Sequence, residues 1–322
     1  MNQGFPRLLG DVGGTNARWA WQRHANDPLQ CISVSPCKAS TSLYDSAARY
    51  MEQHSLGQPS AASIGIATAV TGDRIQFTNN DWSFSIADLK SSLQVERCLV
   101  INDFTALALS LPALGEEDLM PLGGGAATAN APMALIGPGT GLGVSGLLPD
   151  GRGGWNAVSG EGGHVTLAAT DALETSVLEF LRRQFGHASA ERVLSGPGLV
   201  NLYSALCEVR GEAALDLAPH EITQAARAEG DAACQQALTL FASFLGNVAG
   251  NLALTLGTRG GVYVGGGIVP QLGDAFDAKL FRQKFEEKGR FGDYLRPIPA
   301  WLITASTPAL IGASRALDVL KS

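Results

Sequence analysis

The segment Arg7-Leu-Leu-Gly-Asp-Val-Gly-Gly-Thr-Asn-Ala-Arg-Trp-Ala-Trp21 decides the fold, because it predicts a strand, a glycine turn and a second strand. A segment of the same kind follows about 125 residues later, from Ala134 to Leu148. Strand and helix patterns alternate after each segment, ending in a predicted last helix from Thr307-Pro308 to about Leu320. This weak internal repeat predicts two α/β domains of similar plan.

The position of the glycine turns argues against two common phosphate-binding motifs. Each turn lies between two strands, whereas both motifs place their glycines between a strand and a helix. No lysine follows the G-x-x-x-x-G spacing of a Walker loop. Gly141, Gly143 and Gly146 match the dinucleotide fingerprint, but the run 149–154 predicts a turn where that fingerprint needs a helix. We therefore reject both motifs.

Composition predicts a folded protein with a large apolar core. Of the 322 residues, 45% are hydrophobic and 16% are charged, which excludes a disordered chain. The net charge of −7 opposes binding to a nucleic-acid backbone. A single anionic ligand can still bind where backbone N–H groups and helix ends face it. Glycine makes up 39 of the 322 residues, well above the average share of about 7%. The glycines fall in clusters, which suggests backbone brought close to a ligand.

The cysteines and the apolar segments suggest a cytoplasmic protein. Five cysteines, an odd number without a C-x-x-C pair, favour reduced thiols. The N-terminal residues lack the apolar region of a signal peptide. The uncharged run 237–256 holds Gly246 and Gly250 at the spacing of a membrane-helix dimer motif, but Asn247 and Asn251 interrupt it. We predict a buried helix between the domains there and no membrane span.

The run Gly10-Asp-Val-Gly-Gly-Thr15 has two interpretations. It fits a tight hairpin, because D-x-G-G is favourable turn chemistry. It also fits a hairpin whose N–H groups and Thr15 hydroxyl bind phosphates, with Asp11 facing a Mg²⁺ ion through water. The second run Gly137-Pro-Gly-Thr-Gly-Leu-Gly143 favours the phosphate interpretation, since a triphosphate needs two such turns.

Three further groups of polar residues are candidates for chemistry. Asn102-Asp103 joins a strand to a helix, so Asp103 is either a capping residue or an ionised base that accepts a proton from an attacking alcohol. Glu161-Gly-Gly-His164 lacks the cysteines of a zinc site but suits the hydroxyls of a polyol, with the glycines clearing space for it. Glu191 alone is ambiguous. The strand ending in three glycines, Gly261 to Pro270, is either a turn or a platform for an adenine ring.

Together these segments resemble the bacterial glucokinase family of ATP-dependent sugar kinases, within the hexokinase–actin-like ATPase superfamily. The resemblance covers almost the whole chain. Its strongest segments are GDVGGTNAR at 10–18, INDFTA at 101–106, GPGTGLGV at 137–144, GEGGHV at 160–165, ERVLSGPGLVNLY at 191–203 and GGVYVGGGIVP at 260–270. The stretch Thr78 to Trp82 is also similar to the family, with the roles of Asn79 and Asn80 left open.

The resemblance implies an α/β fold that is two-lobed, actin-like and hexokinase-like (ribonuclease H-like), with a cleft between a small and a large domain. The small domain would hold residues 1–113 plus about 303–322, and the large domain residues 114–302. Independently of the resemblance, the small residues from Gly123 to Asn130 predict a loop that connects the domains.

The resemblance also implies the reaction: ATP phosphorylates D-glucose at O6, and Asp103 is the catalytic base. Sugar binding is expected at Asn102, Asp103, Glu161, His164 and Glu191. Nucleotide binding is expected at Gly10, Asp11, Val12, Gly13, Gly14, Thr15, Gly139, Thr140, Gly141, Gly265 and Gly266. The expected cofactors are ATP and Mg²⁺, the latter on Asp11 through water. Zinc is not expected, because the cysteine-rich segment of the related repressor/kinase branch is absent.

Three alternative functions compete with this expectation. The substrate can be fructose, mannose or an N-acetyl sugar instead of glucose. A sugar-sensing repressor would need a DNA-binding extension, which we do not expect because the predicted phosphate loop begins at Gly10 and the net charge of −7 opposes DNA. A chaperone-like ATPase would need a peptide-binding domain. The expected partners are glucose and ATP, without nucleic acid or membrane, and a homodimer is a family expectation only.

Overall fold

The computed structural model describes residues 4–77, 80–228 and 230–320. The strands in this part of the chain are, in order, β1 (Arg7–Val12), β2 (Asn16–Gln22), β3 (Gln30–Pro36), β4 (Ala61–Ile66), β5 (Arg74–Gln76), β6 (Ser83–Ser85), β7 (Arg97–Asn102), β8 (Leu119–Gly123), β9 (Met133–Pro138), β10 (Leu142–Pro149), β11 (Trp155–Ser159), β12 (Val262–Val264) and β13 (Ala300–Ile303). The α-helices are α1 (Leu43–Gln53), α2 (Ile86–Leu93), α3 (Asp103–Ser110), α4 (Ala172–Phe185), α5 (Gly196–Arg210), α6 (Pro219–Arg227), α7 (Ala232–Leu256), α8 (Ile268–Leu272), α9 (Ala278–Glu286), α10 (Gly292–Leu295) and α11 (Pro308–Val319).

The chain divides into two units, the first built from three separate segments and the second from two. The first unit is Met1–Gly115, Asp150–Ser159 and Ala305–Ser322, and the second is Glu116–Pro149 and Gly160–Thr304. The prediction that the stretch from Gly123 to Asn130 connects the domains is wrong, because this stretch lies inside the second unit. Its backbone is held there by two hydrogen bonds, from Gly125 N to Pro297 O (3.1 Å) and from Thr128 N to Arg259 O (2.9 Å).

The first unit is built on a sheet in the order β3-β2-β1-β4-β7. β1 and β2 form the predicted antiparallel hairpin, while β1, β4 and β7 run parallel. All six residues of β4 are buried, as expected for a central parallel strand. The parallel arrangement brings the carboxyl ends of β1, β4 and β7 to one edge of this sheet, where the first glycine turn and Asn102 lie.

The last helix, α11, packs against α3, β1 and β4 of this unit. Arg7 fixes it to β1, because Nη1 donates to the Ser314 carbonyl (3.0 Å) and Nη2 pairs with Asp318 (2.6 Å). The side of α11 that faces α3 carries Gly312, where a Cβ would fall 2.6 Å from the carbonyl carbon of Ala106. The two helices are therefore in backbone contact, and α3 begins at Asp103.

The sheet of the second unit has its strands in the order β10-β9-β12-β13-β8. β9 and β10 form the second predicted hairpin, β12 runs parallel to β9 and β13, and β8 is antiparallel to β13. The core of this unit is mainly helical, with α5, α6 and α9 all packed on α7.

The long helix α7 confirms the predicted buried helix, but its predicted place between the domains is wrong, because it packs inside the second unit. Among the described residues it is the one helix long and apolar enough to cross a membrane, but most of it is buried inside the protein. A Cβ at Gly246 would overlap the Phe281 carbonyl, and one at Gly250 would overlap the Phe285 carbonyl. The two glycines therefore allow α9 to pack closely on α7 within the same chain, which explains their spacing.

A buried carboxylate joins α4 to α7 in the same core. Glu174 has no exposed surface. One of its oxygens accepts hydrogen bonds from the backbone N (2.6 Å) and hydroxyl (2.8 Å) of Thr170, and the other accepts from the Ser243 hydroxyl (2.7 Å). Every bond has the carboxylate as acceptor, so its negative charge strengthens all three hydrogen bonds.

Candidate active site

The turn between β1 and β2, called here the first hairpin (Gly10–Thr15), has buried residues at its base and an exposed residue at its tip. Gly10 is buried, and a Cβ there would lie 2.7 Å from the ring of Trp19, so this glycine serves the packing of the indole. Val12 is also buried. Gly13 and Gly14 are half-buried and Thr15 is exposed, so the tip of the hairpin is the part that a phosphate can reach.

Hydrogen bonds fix the shape of this tip. Gly13 N donates to Asn16 O (2.9 Å) and closes the turn, and Cys37 N donates to Thr15 O (2.8 Å). The second bond attaches the tip to the short 3₁₀ turn that follows β3. The two bonds therefore restrain the tip without a ligand, which lowers the ordering cost of binding an anion to its remaining backbone N–H groups.

Asp11 is the one acidic side chain of the first hairpin, and 17% of it is exposed. Its Oδ2 pairs with Arg18 Nη1 at 3.3 Å, since the two residues lie opposite each other in the β1–β2 register. Burial raises the pKa of Asp11, and the Arg18 guanidinium opposes this shift only in part. Among the described residues no group of three or more metal-ligating side chains exists. One carboxylate fits Mg²⁺, because this ion keeps several waters and takes its other ligands from substrate phosphates.

Asn102 and Asp103 lie at the junction of β7 and α3. Asn102 is the N-cap of α3, and its Oδ1 accepts from the backbone N of Phe104 (2.9 Å) and of Thr105 (3.2 Å). Its Nδ2 donates to Asp103 Oδ1 at 3.0 Å. The same Asp103 oxygen accepts from Phe104 N at 2.9 Å. Two donors and the N-terminus of a helix therefore stabilise negative charge on the Asp103 carboxylate.

A glycine of the neighbouring strand sets the height of this carboxylate above the sheet. A Cβ at Gly65, on β4, would lie 3.1 Å from the Ala106 Cβ and 3.5 Å from the Asp103 Cα. Gly65 therefore allows the first turn of α3 to rest directly on β4. This contact gave no sequence signal, because a lone glycine in a strand has many explanations.

Glu161 and His164 flank the 3₁₀ turn Gly162–His164, and both side chains are exposed. The turn is closed by a hydrogen bond from His164 N to Glu161 O (3.0 Å). The expectation that the intervening glycines clear space for a ligand is wrong. A Cβ at Gly162 would lie 2.8 Å from the Val144 side chain, and one at Gly163 would overlap the Leu142 carbonyl. The glycines therefore seat the turn directly on β10.

Glu191, ambiguous in the sequence, lies beside both of these features. Its Oε2 accepts a hydrogen bond from Leu142 N at 2.8 Å, and its Oε1 lies 4.0 Å from His164 Nδ1. The side chain is 32% exposed. Its backbone belongs to the 3₁₀ turn Ala190–Arg192, whose first N–H donates to Val165 O (3.0 Å). The structure thus brings Glu191 and His164 together.

The turn between β9 and β10, called here the second hairpin (Gly137–Gly143), has Thr140 exposed at its tip. Gly139 N donates to Gly141 O (2.8 Å) across the turn. The glycines that follow β12 lie against its base: Gly265 N donates to Ile136 O (2.8 Å), and a Cβ at Gly266 would overlap the Pro138 carbonyl. Gly266 is exposed and has a φ of +77°, which favours glycine.

Comparison with known proteins identifies the family. The sequence profile of the Glucokinase family matches residues 8–319. The chain is 49% identical over 315 residues to a glucokinase of Aromatoleum aromaticum, covering 98% of this chain and 95% of the relative. The chain belongs to the glucokinase family. A glucokinase of Chromobacterium violaceum is 47% identical, with 98% of this chain and 90% of the relative covered.

Solved structures agree with this family assignment. A glucokinase from an Antarctic psychrotroph superposes with a TM-score of 0.89 at 33% identity, covering 97% of this chain and 98% of the other. A ROK family glucokinase from Streptomyces griseus, in complex with glucose and AMPPNP, has a TM-score of 0.64 at 18% identity, which shows a shared fold. The predicted resemblance and the predicted hexokinase-like α/β fold class are confirmed.

Within this glucokinase fold, the predicted residues fall into local groups. The first unit holds the first hairpin and the Asn102–Asp103 pair. The second unit holds Glu161, His164 and Glu191, next to the second hairpin and the glycines after β12. Thr78 and Asn79 lie outside the described residues. Asn80 uses its side-chain oxygen to accept a hydrogen bond from Trp82 N (2.9 Å).

Proposed function

We propose that this chain is an ATP:D-glucose 6-phosphotransferase in which Asp103 is the general base. As a member of the glucokinase family, it transfers the γ-phosphoryl group of ATP to O6 of D-glucose, giving glucose 6-phosphate and ADP. The assignment of the base rests on one observation. Asp103 is an acidic side chain held by its neighbours at the start of a helix, in a segment that matches the family pattern.

The chemistry of this position supports the assignment. The attacking 6-hydroxyl must lose a proton as the phosphorus–oxygen bond forms, and an ionised carboxylate within hydrogen-bond reach can accept it. Asn102 and the Phe104 N–H both donate to one oxygen of Asp103, so the carboxylate is oriented as well as charged. This orientation matters because most of the rate in phosphoryl transfer comes from positioning and electrostatics.

We further propose that sugar hydroxyls bind to Asn102, Glu161, His164 and Glu191. A sugar hydroxyl both donates and accepts hydrogen bonds. The carboxylates accept and the histidine ring donates or accepts, so the set can satisfy both functions of the hydroxyls. Glu161 and His164 are exposed around one tight turn, and Glu191 lies beside His164. This proximity supports a common ligand for the three residues of the second unit.

For the nucleotide, we propose that the tips of the two hairpins bind phosphates, and that Gly265 and Gly266 bind near the adenine. The exposed residues at these tips are Thr15 and Thr140. Gly10 and Val12 would support the first tip from the core. Asp11 would hold Mg²⁺ through water, and the bound ion would supply positive charge against the phosphates.

The decisive experiment compares Asp103→Asn with the wild-type enzyme in a coupled assay of ADP formation. Because only proton transfer is removed, kcat should fall by roughly 10²–10⁴-fold while KM for glucose changes little. The matched control is Asp88→Asn, since Asp88 also lies in the first turn of a helix of the same unit but is exposed on α2. Turnover of Asp103→Asn close to that of the control would show that the base is another residue.

A panel of hexoses in the same assay tests the sugar. Glucose should give the highest kcat/KM, above fructose, mannose and N-acetylglucosamine. Several expectations from the sequence stay predictions: the domain boundaries, the absence of zinc, a cytoplasmic location and a homodimer. Metal analysis and sedimentation of the purified protein address the zinc and the oligomeric state.

A further inference from the structure

The second hairpin and the proposed sugar-binding residues share one carboxylate. Glu191 Oε2 accepts the Leu142 N–H at 2.8 Å, while Oε1 faces His164 Nδ1 at 4.0 Å. Leu142 is the first residue of β10 and directly follows the turn of the second hairpin. One side chain therefore contacts the backbone of the second hairpin with one oxygen and faces His164, a proposed sugar-binding residue, with the other.

The segment that carries Glu191 is itself rigid. Its neighbours Ala190, Val193 and Leu194 have no exposed surface. The Ser195 hydroxyl donates to Glu191 O (2.8 Å) and accepts from Gly198 N (2.9 Å), which ties the turn to the start of α5. The Glu191 carboxylate is thus presented from a fixed backbone.

A second contact joins the same two segments independently of the carboxylate. Gly196 N donates to Gly139 O at 2.9 Å, on the other side of the hairpin turn from Leu142. The turn is therefore held on both sides by residues 191–196. The absence of a side chain at position 141 is part of this arrangement, because a Cβ on Gly141 would lie 2.5 Å from Glu191 Oε2.

We propose that Glu191 is a positioning residue for nucleotide binding: its carboxylate holds the second hairpin, through Leu142 N–H, in the conformation that binds ATP. This inference rests on the proposed function, which assigns nucleotide binding to the second hairpin. It adds that nucleotide affinity depends on Glu191 even when no sugar is bound. A residue that only contacts sugar would leave that affinity unchanged.

The test is the Kd of the non-hydrolysable analogue AMPPNP with Mg²⁺, measured by calorimetry in the absence of glucose. Glu191→Ala removes the acceptor and should weaken AMPPNP binding about tenfold, as expected for loss of a charge-assisted hydrogen bond. Glu191→Gln keeps one oxygen for Leu142 N–H and should stay within about threefold of the wild-type Kd. His164→Ala, which removes the other neighbour of the carboxylate, should leave this Kd unchanged while raising KM for glucose.

The outcomes are distinguishable. Equal AMPPNP affinity in Glu191→Ala and wild type would overturn the proposal. Equal weakening in Glu191→Gln and Glu191→Ala, or an equal loss in His164→Ala, would also overturn it, because the hydrogen-bond acceptor would then not be the cause. Circular dichroism of each variant excludes misfolding as the source of a loss. Failure of the proposed function has a separate signature, namely wild-type protein that forms no ADP in response to glucose.

Discussion

Substitution of Gly312 by alanine should test how strongly the last helix positions the proposed base. A Cβ at this position would fall 2.6 Å from the Ala106 carbonyl carbon and 3.1 Å from Ser110 N. Both atoms belong to the backbone of α3, so no side-chain rotation can relieve the overlap. The Ala106 carbonyl oxygen is nearer still and would overlap the Cβ, so the two helices must separate by roughly 1.5–2 Å to restore ordinary van der Waals contact.

This separation has an effect on stability and an effect on catalysis. Overpacking of a buried interface typically costs about 1–3 kcal/mol, and because the overlap here is with backbone, the free energy of unfolding should fall by about 3 kcal/mol or more. Ala106 lies one turn from Asp103 on the same short helix, so the carboxylate should shift with it. A misplacement of about 1 Å can cost roughly 10²-fold in rate, and we expect kcat to fall by about 10–100-fold in the folded variant.

Urea denaturation measures the stability change, and coupled ADP formation at saturating glucose and ATP measures kcat. Gly57→Ala is the matched control, because Gly57 is an exposed glycine of the same unit, its φ is not positive, and a Cβ added there would have no neighbouring atom within 4 Å. It should behave as wild type in both assays. If Gly312→Ala unfolds at the same urea concentration as this control and keeps full kcat, then α11 does not determine where Asp103 lies.

Three other predictions concern single side chains. Glu174→Gln removes the negative charge that strengthens the hydrogen bonds to the buried carboxylate, although its amide can still accept from Thr170 and donate to the Ser243 hydroxyl. It should lower the free energy of unfolding by about 1 kcal/mol, whereas the exposed Glu179→Gln on the same helix should not. Burial raises the pKa of the Cys98 thiol to about 11, although Lys90 opposes the shift. The folded state therefore keeps a proton that the unfolded chain loses above about pH 9, so stability should fall from there toward pH 11. Cys98→Ala should reduce this fall, measured by urea denaturation in reducing buffer, and the exposed Cys31→Ala should not. Asp11→Asn should raise the Mg²⁺ concentration needed for half-maximal activity several-fold, and an unchanged Mg²⁺ titration would remove Asp11 from the metal site.

The sequence predicted the features that depend on neighbouring residues. Alternation of apolar residues around glycine turns indicated both β-hairpins, and the junction at Asn102-Asp103 indicated a strand followed by a helix. The buried character of α7 followed from its uncharged composition and its interrupting asparagines. These patterns repeat within a few residues, so periodicity and capping chemistry are sufficient to find them.

Contacts between distant segments gave no such signal. Glu191 lies 49 residues from Leu142 in the chain, and nothing in either neighbourhood indicates that the carboxylate accepts that N–H. The loop from Gly123 to Asn130 was misassigned for the same reason. Small residues predict irregular backbone, but the partners Pro297 and Arg259 that hold this loop inside the second unit are far away in sequence.

The local sequence around a glycine does not show why the position needs one. A position needs glycine when a ligand approaches the backbone, and equally when another part of the chain does, because both require the absence of a Cβ. Gly10 faces Trp19, and Gly162 faces Val144, although both belong to motifs that suggested ligand contact. Gly139 has only a distant neighbour, the Gly141 carbonyl oxygen at 4.0 Å. Substitution by alanine should separate the two classes: at Gly10 and Gly162 it should lower stability, whereas at Gly139 it should act mainly on nucleotide affinity.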